Sequence, residues 1–479
     1  MESIWSQGCQ IRAREPLSGD LECEVAVVGA GMAGVLIAHA LQEAGHQVVV
    51  LEANRTGSGQ TGNTTAKVTA QHGLIYEKLI RTLGKDRARQ YGQAHQAAIQ
   101  AYRDLIRKER IDCGWQDCSA YVYGKDREQL QGEAEAAASL GLPAVFTRDL
   151  PPWLPAEGAV RFDHQGQFHP LQFLRAVSGR VTIYENTPVQ IAEGDLLYTT
   201  RGKVRAEHIV FSCHYPFVNV PGLYFARMHQ TRSYVLALEH VPRLDGMFLG
   251  VGPDSISLRN HGDLLLLGGG GHRTGENPEG GRYDFLRQVA GAWFPGSREV
   301  AHWSAQDCMT PDGAAYIGPF APSRPHWYVA TGFQKWGMTA SMVSALVLRD
   351  LIDGKESPYG DVFDPGRLEA GLLPGLAKEG GPAVKGLLKQ VFQRPKLQAD
   401  QLPAGHGGIV KWNGKKAGAY RDENGDLHPV ATRCPHLGCQ LAWNPDEKSW
   451  DCPCHGSRFD CRGELLSGPA QRGICHGKG

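Results

Sequence analysis

A chain of 479 residues is longer than one hydrophobic core ordinarily organises, so two or three domains are expected. With 42% hydrophobic and 21% charged residues it has the composition of a folded globular protein. Its 50 Lys+Arg balance 50 Asp+Glu, leaving no net field to favour nucleic acid or an anionic membrane. No apolar run is long enough to span a bilayer and the opening MESIWSQGCQIRARE has no signal-peptide core, so a cytoplasmic protein without a membrane span is expected.

In chain order, a short N-terminal extension (about 1–22) precedes a strand–turn–helix–strand unit. The run Val25 to Val28 suits a buried parallel strand. Val35, Leu36, Ile37, Ala40, Leu41 and Ala44 give the next segment an apolar helical face that Gly45 ends, and Val48 to Leu51 is the second strand. Between them Gly29-Ala30-Gly31-Met32-Ala33-Gly34 has the G-x-G-x-x-G spacing, and Glu52 closes the second strand. Such a turn lets backbone approach a pyrophosphate at a helix N-terminus, while the carboxylate binds ribose hydroxyls, so the unit reads as dinucleotide-binding.

Residues of about 77–140 read as two or three surface helices, and about 160–300 as short strands of an antiparallel sheet. The stretch WYVATGFQKWGMTASMVSALVLRDLIDG returns to strand, turn and helix. Residues of about 355–400, rich in Pro and Gly with one amphipathic piece (AVKGLLKQVF), read as a linker. From GGIVKW onward, Asn-Gly and Asn-Pro turns separate short strands of a small all-β module.

The loop ANRTGSGQTGNTTAKVTAQHG, with TPDGAAYIGP and ATGFQKWGMT further on, resembles the amine-oxidising flavoprotein superfamily of D-amino-acid oxidase, glycine oxidase and sarcosine oxidase over about residues 20–355. The resemblance implies FAD held by Gly29, Gly31, Gly34, Glu52, Thr61, Thr64, Thr65 and Asp312. It also implies a flavin-facing helix start at Gly332, Phe333, Gly337, Met338 and Thr339, with Val189 of Thr187-Pro188-Val189 near the adenine. A helix N-terminus there would stabilise the negative charge of reduced flavin.

The C-terminal stretch CPHLGCQLAWNPDEKSWDCPCHGS holds four cysteines and two histidines. Cys434, His436, Cys452 and His455 suit a tetrahedral zinc site or a Rieske [2Fe–2S] centre; disulfides alone would leave the histidines unexplained. CPHLGC, CPCHGS and the later SGPA resemble the two cluster loops and the proline loop of Rieske proteins over about residues 405–470. That resemblance implies those four residues as cluster ligands, a Cys439–Cys454 disulfide, and Ser457 hydrogen-bonded to a bridging sulfide. Phe459 stands where the high-potential branch has a tyrosine, which implies a low potential. Cys475 and His476 read as an exposed tail.

The expected fold is therefore an α/β Rossmann-like FAD domain with an antiparallel substrate sheet, followed by a small all-β Rieske domain. Expected boundaries are about 23–357 for the flavoprotein (FAD-binding about 23–75, 180–215 and 305–357; substrate side about 76–179 and 216–304), 358–403 for the linker and 404–479 for the Rieske domain. Candidate catalytic residues are Lys67 in the flavin loop, Trp336 in the flavin-facing turn, and His169, whose His-Pro pair reads equally as a helix cap. His72 is weighed as a covalent flavin attachment point. Arg227, Arg232, Tyr234 and Arg273 are candidates for a substrate carboxylate.

The implied activity is hydride transfer from an amine or amino-acid-like substrate to FAD. Single electrons then pass through the cluster to a ferredoxin- or flavodoxin-like protein. The alternatives are the reverse flow, from a donor through the cluster to FAD and an unsaturated substrate, and a redox-sensing protein with no small substrate.

Overall fold

In the computed structural model, which describes residues 2–368, 395 and 397–475, the apolar run Val25–Val28 ends strand Leu21–Val28 and is buried throughout. It lies inside a sheet ordered Tyr316–Ala321, Arg324–Thr331, Gly202–Phe211, Leu21–Val28, Val48–Leu51 and Thr182–Tyr184. The inner pairs are parallel and the edge strand Tyr316–Ala321 is antiparallel. Parallel strands need both faces covered, which is why Val25–Val28 and Val48–Leu51 at the centre are apolar without alternation. Helix Met32–Glu43 packs against helix Gly337–Ile352, and helix Lys85–Glu109 packs on the latter.

A second sheet runs Arg298–Met309, His229–Glu239, Leu264–Arg273, Ser257–His261, Met247–Gly250, Gln116–Gly124, Gly158–Gln167 and Lys67–Val68, with Ala144–Thr147 also paired to Gly158–Gln167. Its expected antiparallel character needs one correction: Met247–Gly250 pairs parallel with Gln116–Gly124. That latter strand also interrupts the region read as helices, because QDCSAYVYG is polar at its start and only its second half alternates with burial. The helices around it are not purely superficial. Lys85–Glu109 buries Ala88, Tyr91, His95, Ala98, Ile99 and Tyr102 on one face.

The N-terminal segment is integral to this core. Trp5 is fully buried and donates from Nε1 to the Thr64 carbonyl at 2.7 Å. Arg14 N–H donates to Glu185 at 3.0 Å.

The chain divides into two compact units, one of Met1–His214, Ser233–Gly271 and Tyr283–Glu369, the other of Tyr215–Arg232, His272–Arg282 and Ala370–Gly479. The start of the expected linker belongs to the first: Arg367 donates to both Asp312 oxygens, at 2.8 and 3.1 Å. The amphipathic piece 383–392 lies outside the described residues.

In the second unit one four-stranded sheet runs Leu397–Gln398, Gly407–Trp412, Lys415–Arg421 and Leu427–Val430. The other runs Ala442–Asn444, Ser449–Asp451, Arg458–Asp460 and Leu465–Ser467. The residues before Cys475 are not an exposed tail, since Ile474 is buried and exchanges backbone hydrogen bonds with Ala431 and Gly463. Cys475 itself is exposed, and His476 lies outside the described residues.

Candidate functional site

The glycine turn in the first unit joins Leu21–Val28 to Met32–Glu43. A Cβ on Gly34 would overlap the Gly29 carbonyl oxygen and come within 2.7 Å of Ser212 Oγ, so helix and turn meet this closely only through glycine. Gly31 caps the helix with no side-chain bond of its own, and Thr61 Oγ1 accepts the Met32 N–H at 2.9 Å. A helix N-terminus with a hydroxyl beside it suits a diphosphate. Glu52 accepts from Ala30 N–H at 2.7 Å and Asn54 N–H at 2.8 Å, and burial raises its pKa. Thr187 N–H donates to the Glu52 carbonyl at 2.8 Å, which lays the segment leading to Val189 alongside that strand end.

Thr64 Oγ1 accepts from Ala66 N–H at 3.0 Å, and the Thr65 carbonyl accepts from Arg259 Nη1 at 2.8 Å. Their hydroxyl and carbonyl thus shape the loop. Asp312 departs from its expected role as a cofactor contact. Its carboxylate is committed to Arg367, Thr310 and the Ala314 N–H. It is a buried strut of the turn before strand Tyr316–Ala321.

Trp336 caps helix Gly337–Ile352, with Gly332 and Gln334 left-handed at φ +68° and +53° in the preceding turn. The Trp336 ring stacks on His72 at 4.5 Å and 14°. His72 also meets the Tyr91 hydroxyl at 2.5 Å and the Thr69 carbonyl at 2.8 Å. Thr339 Oγ1 donates to the same carbonyl at 3.1 Å. His72, Trp336 and Thr339, expected separately, therefore meet at the start of that helix, with His72 and Thr339 buried and Trp336 half-buried over the ring, and burial holds the His72 imidazole neutral.

Lys67 Nζ is buried and donates to the Phe248 carbonyl at 2.8 Å and to Ser257 Oγ. Burial, with Arg259 as like-charged neighbour, lowers its pKa to about 7. Arg259 was not singled out from the sequence, because a lone arginine in SLRNH carries no periodic or motif signal. It binds the carbonyls of Thr65 and Ala66, each at 2.8 Å, and so pins the flavin loop. His169 departs from its catalytic reading. Its ring caps helix Pro170–Ser178 by accepting from Gln172 N–H at 3.3 Å, and lies edge-on to Trp5 at 4.9 Å.

In the second unit the two cysteine–histidine loops close in the same way. Cys434 N–H donates to the Cys439 carbonyl and Cys452 N–H to the Ser457 carbonyl, both at 2.8 Å. A disulfide joins Cys439 to Cys454. The sulfurs of Cys439, Cys452 and Cys454 lie within 4.8 Å of one another, yet the disulfide occupies two of them. The donors left at these loops are the thiols of Cys434 and Cys452 and the rings of His436 and His455.

Each thiol acts on the other: the Cys452 neighbour lowers the pKa of Cys434, while Cys434 and burial raise that of Cys452. The histidine rings stand 4.9 Å apart at 88°, and Nδ1 of each is buried with no hydrogen-bond partner among the described residues. Burial lowers His436 to about 4 and His455 to about 3, keeping both neutral as metal ligands must be. Two orphaned imidazole nitrogens and two free thiols on the paired loops suit a mixed Cys/His cluster. Ser457 Oγ accepts from Ala470 N–H at 2.9 Å, tying the Ser467–Ala470 loop to the site.

Three of the four substrate candidates lie in this unit. Arg232 is 2% exposed and meets Glu447 with Nε–Oε2 2.9 Å and Nη2–Oε1 2.5 Å, so its expected role with a substrate carboxylate is overturned. Arg227 lies over the Tyr224 ring at 5.2 Å, and the Arg273 charge acts on His455. Tyr234 is packed in the first unit's core against Tyr283 at 4.9 Å, with no exposed surface for a substrate. Sequence reasoning missed Asn219, Gln230 and Glu447. His436 Nε2 meets Asn219 Oδ1 at 2.8 Å, and Gln230 Nε2 donates to the His455 carbonyl at 2.6 Å. Each is one polar residue far along the chain from its partner, and no local pattern marks it.

Residues 24–351 match the FAD dependent oxidoreductase family and residues 394–476 the Rieske [2Fe-2S] domain. A Bacillus subtilis (strain 168) protein, YhfW, described as a Rieske 2Fe-2S iron-sulfur protein, is 39% identical over 492 residues, covering 98% of this chain and 96% of that one. The gamma-glutamylputrescine oxidoreductase of Escherichia coli (strain K12) is 26% identical over 212 residues, 41% of this chain and 50% of that one. Among solved structures, glycine oxidase from Geobacillus kaustophilus superposes with a TM-score of 0.59 at 21% identity, covering 70% of this chain and 96% of that one.

Proposed function

The chain belongs to the FAD dependent oxidoreductase family and carries a C-terminal Rieske [2Fe-2S] domain, and from that premise we propose that it oxidises an amine or amino-acid-like substrate and delivers the electrons one at a time to a protein acceptor. When bound, FAD supplies hydride acceptance from the C–H beside nitrogen, and the cluster supplies one-electron transfer. Similarity to an oxidoreductase named for gamma-glutamylputrescine supports the amine class.

The observation that carries the one-electron route is the donor set of the second unit. Two neutral imidazoles with orphaned Nδ1 atoms share the paired loops with two free thiols, beside a disulfide that takes the remaining cysteines. In this reading Cys434, His436, Cys452 and His455 are the ligands. FAD is held by the glycine turn with Gly29, Gly31 and Gly34, by Glu52, by Thr61 with Thr64 and Thr65, by Val189 and by the turn from Gly332 to Thr339. Buried Lys67, with its pKa lowered to about 7, exchanges a proton near neutral pH, where an ordinary lysine stays fully protonated. Among the described residues no helix is long and apolar enough to cross a membrane, and the reading places the enzyme in the cytoplasm with a ferredoxin- or flavodoxin-like acceptor.

An anaerobic titration with a panel of amines and amino acids tests the substrate class. At least one should bleach the flavin absorbance stoichiometrically. A flavin that no amine reduces, but that takes electrons from a reduced ferredoxin, would overturn the reading in favour of reverse flow.

A further inference from the structure

We infer that Asn219 is a positioning residue that fixes the ring of His436, committing the histidine edge of the cluster to this chain's own flavoprotein segments rather than to an outside partner. The inference rests on the proposed ligand set and deepens it.

Residues 215–232 and 272–282 fall within the stretch matched by the flavoprotein family, yet they belong to the same compact unit as the cluster loops. Their contacts converge on the histidines. Asn219 Oδ1 lies 2.8 Å from His436 Nε2. If Nδ1 is given to iron, Nε2 carries the ring proton and the amide oxygen is its acceptor. Such a partner sets the ring's rotation about the metal–nitrogen bond and strengthens it as a ligand. At the other histidine, Gln230 holds the backbone carbonyl at 2.6 Å and Phe225 stands edge-on to the ring at 5.9 Å. Gly456 makes this approach possible: a Cβ there would come within 2.7 Å of Gln230.

The same segments are anchored by charge. Arg232, Glu447, Arg458 and Asp451 form a buried ladder of alternating sign, with Arg458 bonded to Glu447 and Asp451 at 3.0 Å each. Asp446 accepts from Asn277 Nδ2 and from the N–H groups of Gly281 and Arg282 at 2.8 to 3.1 Å. With both histidines held from this side, an external carrier has to dock elsewhere on the cluster domain.

Asn219 is only half-buried, so its variants should fold. The test compares Asn219→Leu with Asn219→Asp, which keeps an acceptor oxygen. Two readouts are taken: histidine nitrogen hyperfine couplings in pulsed EPR after dithionite reduction, and the rate at which the cluster is reduced after anaerobic mixing with an amine that bleaches the flavin. Asn219→Leu should alter the couplings of one histidine and slow cluster reduction about tenfold or more, and Asn219→Asp should restore the couplings. Unchanged couplings and rate in Asn219→Leu would overturn the inference. A wild-type protein without a two-histidine signal would instead remove the ligand assignment, so the two failures are distinguishable.

Discussion

Arg232 and Glu447 form a two-point ion pair, Nε–Oε2 2.9 Å and Nη2–Oε1 2.5 Å, in which the arginine is 2% exposed and 215 residues separate the partners. Removing one member strands the other charge out of water, a loss of about 3–5 kcal/mol. Glu447→Ala should therefore lower the stability of the second unit by that order in denaturant unfolding. Arg232→Met combined with Glu447→Leu should recover most of the loss, because two apolar side chains leave no charge behind. A single substitution costing under about 1 kcal/mol, as an exposed pair would, contradicts the buried geometry.

The glycine turn makes a sharper demand. Gly34→Ala puts a methyl group into the Gly29 carbonyl, so helix Met32–Glu43 must move away from the turn. The variant should purify with little flavin, measured as flavin absorbance per protein. Full flavin occupancy would show that the turn has slack the packing denies.

Lys67 gives a pH dependence whose sign follows from burial. Its folded pKa of about 7 lies below the ordinary lysine value of 10.5. Below pH 7 it is charged in both states and the folded protein bears the whole cost of a buried ammonium. As pH rises from 7 toward 10.5 the folded group is neutral while the unfolded one still binds its proton, so the cost declines and vanishes. The stability gained by Lys67→Met should thus be about 3 kcal/mol larger at pH 6 than at pH 9. Equal gains at the two pH values would mean that the amine is solvated.

Both cofactor motifs were legible because each is local. The glycine turn and Glu52 span one strand–turn–helix–strand unit, and the four donors Cys434, His436, Cys452 and His455 sit in two short loops whose spacing is set by a hairpin. The substrate side was not legible. An arginine in TRSY reads the same whichever carboxylate it finds, and only the fold shows that Arg232 finds Glu447. His169 was ambiguous for the same reason, since a histidine before proline caps a helix with the same ring that would serve as a base. Asn219 lies in a loop and Gln230 at the start of strand His229–Glu239, and periodicity there marks which face is buried but not which distant residue a polar side chain will meet.

Phe459 is fully buried in the core that holds Cys434 and Cys452. A tyrosine hydroxyl there would donate to ligand sulfur and stabilise the reduced, more negative cluster. Phe459→Tyr should raise the midpoint potential by on the order of 60 mV, the shift that one tenfold change in a one-electron equilibrium produces. A potential that stays put or falls would show that the hydroxyl cannot reach the sulfur.

The coupling of amine oxidation to the cluster is tested most directly by EPR on the whole protein, frozen at intervals after anaerobic addition of an amine that bleaches its flavin. The signal of a reduced Rieske cluster should grow in after the flavin bleaches. A cluster that stays EPR-silent, with rapid hydrogen peroxide release once air is admitted, would contradict the coupling.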